Sequence, residues 1–146
     1  GSSSDARQQF KFQTLDWLTA HLTRLSAEGR QCIVCGDWNI AHRQIDLKNW
    51  RGNQKHSGFL PEERAWMDRL LSGPWIDSFR LLEPEAAVYT WWSNRGQAYA
   101  RDVGWRIDYQ IASAALRERI RAVRVYREPR FSDHAPYVVD YAGTTA

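Results

Sequence analysis

The chain is 146 residues long, 43% hydrophobic and 25% charged, with a formal net charge of +3 and a pI near 9.1. That length buries the core of one domain or supplies half of a larger one. No apolar run approaches a membrane span, no stretch is built like a secretory signal, and no second C-x-x-C exists to complete a zinc site with Cys32 and Cys35.

Apolar residues at helical spacing (Phe10, Leu15, Leu18, Leu22, Leu25) predict a helix over residues 5–28, with Gly29 where a C-cap belongs. Residues 31–35 form a short apolar run that stops at Gly36 and reads as a buried strand. Cys32 and Cys35 then point to opposite faces, as structural thiols in a reducing compartment. Residues 37–58 lack periodicity and read as a long polar loop. It carries Trp50, His42, His56 and several cations, and loops of that length are usually functional. Pro61, Glu62 and Glu63 open a helix through Leu71, and Gly73-Pro74 ends it.

Residues 88–92 predict a strand. Residues 105–112 alternate, with Trp105, Ile107, Tyr109 and Ile111 on one face and Arg106, Asp108 and Gln110 on the other. Residues 119–126 predict a strand with arginines outward, and residues 135–141 a closing strand with Pro136 near its start. Strands with covering helices make the fold class α/β or α+β.

The cations fall in three groups: His42, Arg43, Lys48, Arg51, Lys55 and His56; Arg95, Arg101 and Arg106; and the arginines from Arg117 to Arg130. Such clusters favour a polyanion partner, and a salt-paired surface is the alternative. Of the eight tryptophans, some fill the core, and those interleaved with arginine suit stacking on bases or sugars.

Three short motifs carry chemistry. Asp37 and Asn39 follow a strand through Gly36, and alternate residues of an extended segment converge on one point. A carboxylate can activate water and an amide can donate to a phosphoryl oxygen; the alternative is an Asx turn at a strand end. Asp133 and His134 are adjacent, so they point apart and take different jobs. Asp133 suits a magnesium-type ion, and His134 suits a base or a stabiliser of phosphate charge. Asp108, on the polar side of its strand, can hold that imidazole in one tautomer.

These motifs, Gly36-Asp37-Trp38-Asn39-Ile40, Gly104-Trp105-Arg106-Ile107-Asp108 and Ser132-Asp133-His134-Ala135-Pro136, resemble the signature blocks of the exonuclease III family of apurinic/apyrimidinic (AP) endonucleases. That family lies within the endonuclease/exonuclease/phosphatase superfamily. The resemblance extends through residues 58–64 and 89–92. It implies a four-layered α/β sandwich of two packed, mainly antiparallel sheets flanked by helices, with the active site at the top of both sheets. Asp37 and Asn39 resemble the pair that handles the nucleophilic water and the phosphate, Asp108 the aspartate orienting the catalytic His134, and Asp133 a magnesium ligand. Trp91, Trp105 and Ile107 match a pocket for an extruded abasic sugar. Asn49, Asn53, Lys55 and His56 fall on a DNA-contacting loop, and Arg95 is a further DNA contact.

The implied protein is a magnesium-dependent (or manganese-dependent) DNA phosphodiesterase of base-excision repair. It would act as a monomer on double-stranded DNA with abasic sites or blocked 3′ ends, in the cytoplasm at the nucleoid and away from membranes. The family's principal metal-binding glutamate lies on a Gln-Glu segment, and this chain has no such pair. Gly1-Ser2-Ser3-Ser4 resembles the loop after a family tyrosine. The expectation is therefore that residues 1–146 are the C-terminal portion of one domain, weak or inactive alone. His56, bulky beside the phosphate path, implies a bias towards 3′-exonuclease and 3′-phosphatase work over AP-endonuclease cleavage. Two other readings stay open: a superfamily phosphatase for non-nucleic phosphoesters, and a non-catalytic nucleic-acid-binding fragment.

Overall fold

The structure is a computed structural model that describes residues 4–143, so of the Gly1-Ser2-Ser3-Ser4 run only Ser4 lies within the described residues. Ser4 caps helix α1 (Asp5–Ala27), its side chain accepting from the Arg7 amide at 3.3 Å. Leu15 and Leu22 are buried, with Phe12, Leu18 and Leu25 packed around the same core. Phe10, assigned to that stripe from the sequence, is instead 70% exposed. Five residues from Leu15 is well off the face, whereas Phe12, three residues away, is on it.

Strand β1 (Ile33–Asp37) lies at one edge of a three-stranded antiparallel sheet, next to β5 (Asp108–Ser113), which also pairs with β2 (Trp75–Asp77). Helices α1 and α2 (Pro61–Leu71) cover one face. Their core includes Met67, Trp66, Trp75, Tyr109 and Ile111, with Trp38 tilted against Trp66 at 5.7 Å. Each fully buried side chain of this kind contributes roughly 1.5–3 kcal/mol. The strand at residues 31–35 was expected to be buried. As an edge strand it is not: Ile33 and Cys35 are exposed, and the free Cys32 is only half-buried.

The strand expected over residues 105–112 divides. Its start, β4 (Gly104–Trp105), pairs with β3 (Trp91–Trp92), and β5 resumes at Asp108 in the other sheet. The chain turns between them because backbone partners change: the Arg106 amide donates to Asp46 O at 2.7 Å, and Trp38 donates to Ile107 O at 2.9 Å. At Gly104 a Cβ would come within 2.6 Å of the Trp92 indole nitrogen, so the close β3–β4 approach requires glycine there.

Short elements escaped the sequence patterns. Asp77 ends β2 and caps α3 (Ser78–Leu82), accepting from Phe79 N and Arg80 N at 3.2 and 3.3 Å. The expected polar loop over residues 37–58 folds into 3-10 turns at Gln44–Asp46 and Trp50–Asn53, and Ile40, Ala41 and Leu47 are buried within it. A hairpin-like pair, β6 (Ile120–Val125) and β7 (Tyr137–Tyr141), closes the chain. It packs against β5, with the Gln110 amide donating to Tyr137 O at 3.2 Å and Tyr141 donating to Gln110 Oε1 at 3.0 Å. Among the described residues no helix is long and apolar enough to cross a membrane.

Candidate active site

Asp37 ends β1 and Asp108 begins β5, and the antiparallel register sets them opposite one another. His134 reaches the same point from the third motif. Residues 133–135 run beside β3: Trp92 N donates to Asp133 O at 3.1 Å, Ala135 N donates to Thr90 O at 2.8 Å, and Trp91 bridges His134. His134 Nδ1 lies 2.9 Å from Asp108 Oδ2, and its Nε2 lies 3.7 Å from Asp37 Oδ2. An ionised carboxylate only accepts, so Nδ1 carries a proton and Nε2 faces the site, as a lone pair in the neutral ring and as a second N–H in the protonated one.

Burial alone would lower the His134 pKa, but the Asp108 hydrogen bond and the charges of Asp108, Asp37 and Asp133 raise it above the ordinary value. Asp108 is itself raised, first by burial and also by the Asp37 charge; Thr90 and His134 counter this only in part. Thr90 was not singled out from the sequence, yet its buried hydroxyl accepts from Ile107 N and Asp108 N at 3.1 and 3.2 Å and fixes the start of β5. Only its place in a Tyr-Thr-Trp-Trp run pointed to it.

Asn39 folds back on Asp37. Its amide nitrogen donates to Asp37 Oδ1 at 2.9 Å, and its side-chain amide reaches Oδ2 at 3.4 Å. Its φ is +51°, a left-handed conformation that asparagine adopts more readily than most residues. Asp133 takes a separate set of partners, the Trp91 indole at 3.1 Å and the Ser132 hydroxyl at 3.3 Å. The Trp91 bond in particular holds its carboxyl below the usual range.

A cleft of about 320 Å³ opens beside these groups, lined by Asn39, Ser57, Gly58, Trp91, Trp105, Ile107 and His134. Asn49, Asn53, Lys55 and His56 lie on the neighbouring turn, outside its lining: Asn53 Nδ2 donates to Asn49 O at 2.7 Å, and His56 Nδ1 sits 2.9 Å from Asn53 Oδ1. Arg95 is exposed on the loop after β3. Two expected surface cations are not on the surface. His42 is buried, 2.6 Å from Asp68. Arg106 is 1% exposed, its guanidinium held by Asp46 at 2.8 Å and Asp77 at 2.7 Å.

Asp37, Asp108 and His134 offer ligand atoms that all lie within 4.8 Å of one another, and Asp133 is outside that set. Two carboxylates and an imidazole are a donor set that fits a divalent metal ion. The Asp37 and Asp133 carboxylates both act on the His134 charge from the edge of the site, and each of their oxygens keeps acceptor capacity beyond the bonds already made.

Fold and site define the class: a mixed α/β protein whose sheet ends present a carboxylate–imidazole–amide set beside an aromatic slot. The chain matches the model of the Endonuclease/Exonuclease/phosphatase family over residues 2–134 and belongs to that family. It is 37% identical over 131 residues to an exodeoxyribonuclease of Bacillus subtilis, covering 89% of this chain and 52% of the relative. It is 42% identical over 118 residues to the DNA repair nuclease APEX1 of Danio rerio, covering 80% and 38%. The solved 3′-5′ exonuclease of Neisseria meningitidis superposes with a TM-score of 0.89 at 30% identity, covering 97% of this chain and 56% of that one. The chain thus spans about half the length of these relatives, and its fold is a part of theirs.

Proposed function

We propose that this chain is the C-terminal, active-site-bearing portion of a metal-dependent DNA phosphodiesterase that works in base-excision repair. One observation carries the reading: His134 and Asn39 line a cleft walled by Trp91, Trp105 and Ile107, with Asp108 and Asp37 against the His134 ring. The relatives add support, being named exodeoxyribonuclease, DNA repair nuclease and, for a Neisseria structure, a 3′ phosphatase bound to product DNA hairpin.

In this reading the Asn39 amide donates to a phosphoryl oxygen, and Asp37 orients the attacking water and takes its proton. His134, held by Asp108, meets the charge that grows on the phosphoryl group, and its raised pKa keeps a proton available. The aromatic cleft takes the sugar beside the scissile bond. Magnesium or manganese, with Asp133 among its ligands, would neutralise developing phosphate charge. Asn49, Asn53, Lys55, His56 and Arg95 would run along the phosphates of duplex DNA with abasic sites or blocked 3′ ends, at the nucleoid. The exposed His56 ring supports a bias towards 3′ ends. The exposed Ile33 and Cys35 on edge strand β1 support completion of the site by a further segment, which would leave the chain alone weakly active or inactive.

His134→Ala and Asp133→Ala in the full-length protein are expected to abolish cleavage of abasic and 3′-blocked duplexes while duplex binding persists. Equal loss of binding and cleavage would overturn the catalytic assignment.

A further inference from the structure

Glu63 is 0% exposed, in the first turn of α2, with both carboxylate oxygens in use. Oε1 accepts from the amides of Gly58 at 2.8 Å and Leu60 at 3.0 Å. Oε2 pairs with the Lys11 ammonium of α1, and that ammonium also donates to the main-chain oxygen of Asn39 at 2.7 Å. One buried ion pair therefore grips two separate stretches of backbone, residue 39 and residues 58–60. Those stretches are joined by a third bond, from Ala41 N to Gly58 O at 2.8 Å. Asn39 and Gly58 both line the cleft.

Stability alone does not account for this arrangement. Desolvating two charges consumes most of what their attraction returns, and an apolar pair of similar volume often serves a fold as well. What an apolar pair could not do is hold these backbone atoms. Asn39 is in the left-handed region at φ +51°, and Gly58, at φ +101°, leaves a Cβ only 3.0 Å from the Trp105 ring and 3.4 Å from Asn39 O. Small rotations at either residue move the Asn39 amide or the Trp105 wall.

We propose that Lys11 and Glu63 are positioning residues of the site. The pair clamps Asn39 and Gly58 so that the Asn39 carboxamide meets the phosphoryl oxygen and the Gly58 side of the cleft stays against Trp105. This rests on the reading of Asn39 as a phosphate ligand.

The test compares Lys11→Met, Lys11→Arg and Glu63→Gln in the full-length protein, using a 3′-blocked duplex and amide NMR. A misplaced group costs from about tenfold to a hundredfold. Lys11→Met is expected to lower kcat about tenfold with KM within about twofold, and Lys11→Arg to restore most of it. In an Asn39→Ala background Lys11→Met should add nothing, because both changes act through one amide. The Asn39 side-chain and Gly58 backbone resonances should shift in Lys11→Met and return in Lys11→Arg; Glu63→Gln, which keeps the backbone acceptor, should move Asn39 more than Gly58. Additive loss with Asn39→Ala, or unmoved Asn39 and Gly58 resonances, overturns the proposal. His134→Ala separates the two readings: if it turns over normally the nuclease reading fails, and the resonances still decide the clamp.

Discussion

Two clusters in this molecule set aspartates against a nitrogen base, arginine in one and histidine in the other, and do opposite things. Around Arg106, the carboxylates of Asp46 and Asp77 and the guanidinium of Arg80 are nearly sealed from water and paired at 2.5 to 2.8 Å. Around His134, the carboxylates of Asp37 and Asp108 stay part-exposed at a cleft, and Asp37 keeps a loose 3.7 Å approach. In the buried cluster each charge has its opposite, so Arg106 is pushed well up; burial would raise Asp46, but Arg106 and Arg80 more than reverse it. In the open cluster carboxylates outnumber cations, and both Asp108 and His134 are raised. Full pairing fixes protons and holds elements together. Incomplete pairing beside a cleft leaves a proton to move.

The largest effect that would break this contrast comes from Arg106→Ala. Removing Arg106 leaves the buried Asp77 without a cation and Asp46 with Arg80 alone, and urea denaturation should show a loss of about 3–5 kcal/mol. A loss below 1 kcal/mol would mean the cluster is not structural. Asp108→Asn is the counterpart in the open cluster: unfolding should barely change, while cleavage by the full-length protein falls about a hundredfold because the neutral amide no longer fixes the Nδ1–H tautomer or supports the charged ring. A folded variant with full activity would remove Asp108 from the site.

Acid sharpens the same contrast. The Asp46 pKa is depressed in the folded chain, so its contribution to stability is complete above the unfolded value of about 3.9 and is lost as pH falls through the lower folded value. Melting temperature should drop below about pH 4, and Asp46→Asn should be less stable at pH 7 with a flatter acid limb; an equally steep limb would assign the loss to other carboxylates. The smallest effect belongs to an exposed pair. Arg124 and Asp140 lie 3.1 Å apart, each about half-exposed, and Arg124→Ala should change stability by at most about 1 kcal/mol, with salt erasing even that.

The site was more legible in the sequence than the frame that carries it. Asp37, Asn39, Asp108, Asp133 and His134 lie in compact motifs beside strand patterns, where local order predicts local placement. Arg106 shows the opposite case. Alternation placed it with the polar residues facing outward, but the strand breaks at that residue, and its partners Asp46 and Asp77 are sixty and twenty-nine positions away. Glu63 was read as a helix-dipole acid. Nothing local marks it as the anchor of residues 58–60 or places Lys11 against it. The β2–α3 segment is too short for any period to emerge.

By itself, then, the sequence determined the long α1 and α2 helices, the strand ends that carry the motifs, and the chemistry those motifs suit, because helical and strand periods and turn residues act over a few positions. Tertiary structure alone decided which charges are buried, that β1 is an open edge, that one expected strand serves two sheets, and that a lysine and a glutamate fifty-two positions apart grip the Asn39 backbone. Those outcomes depend on desolvation and on partners distant in the chain, and neither is encoded at any single position.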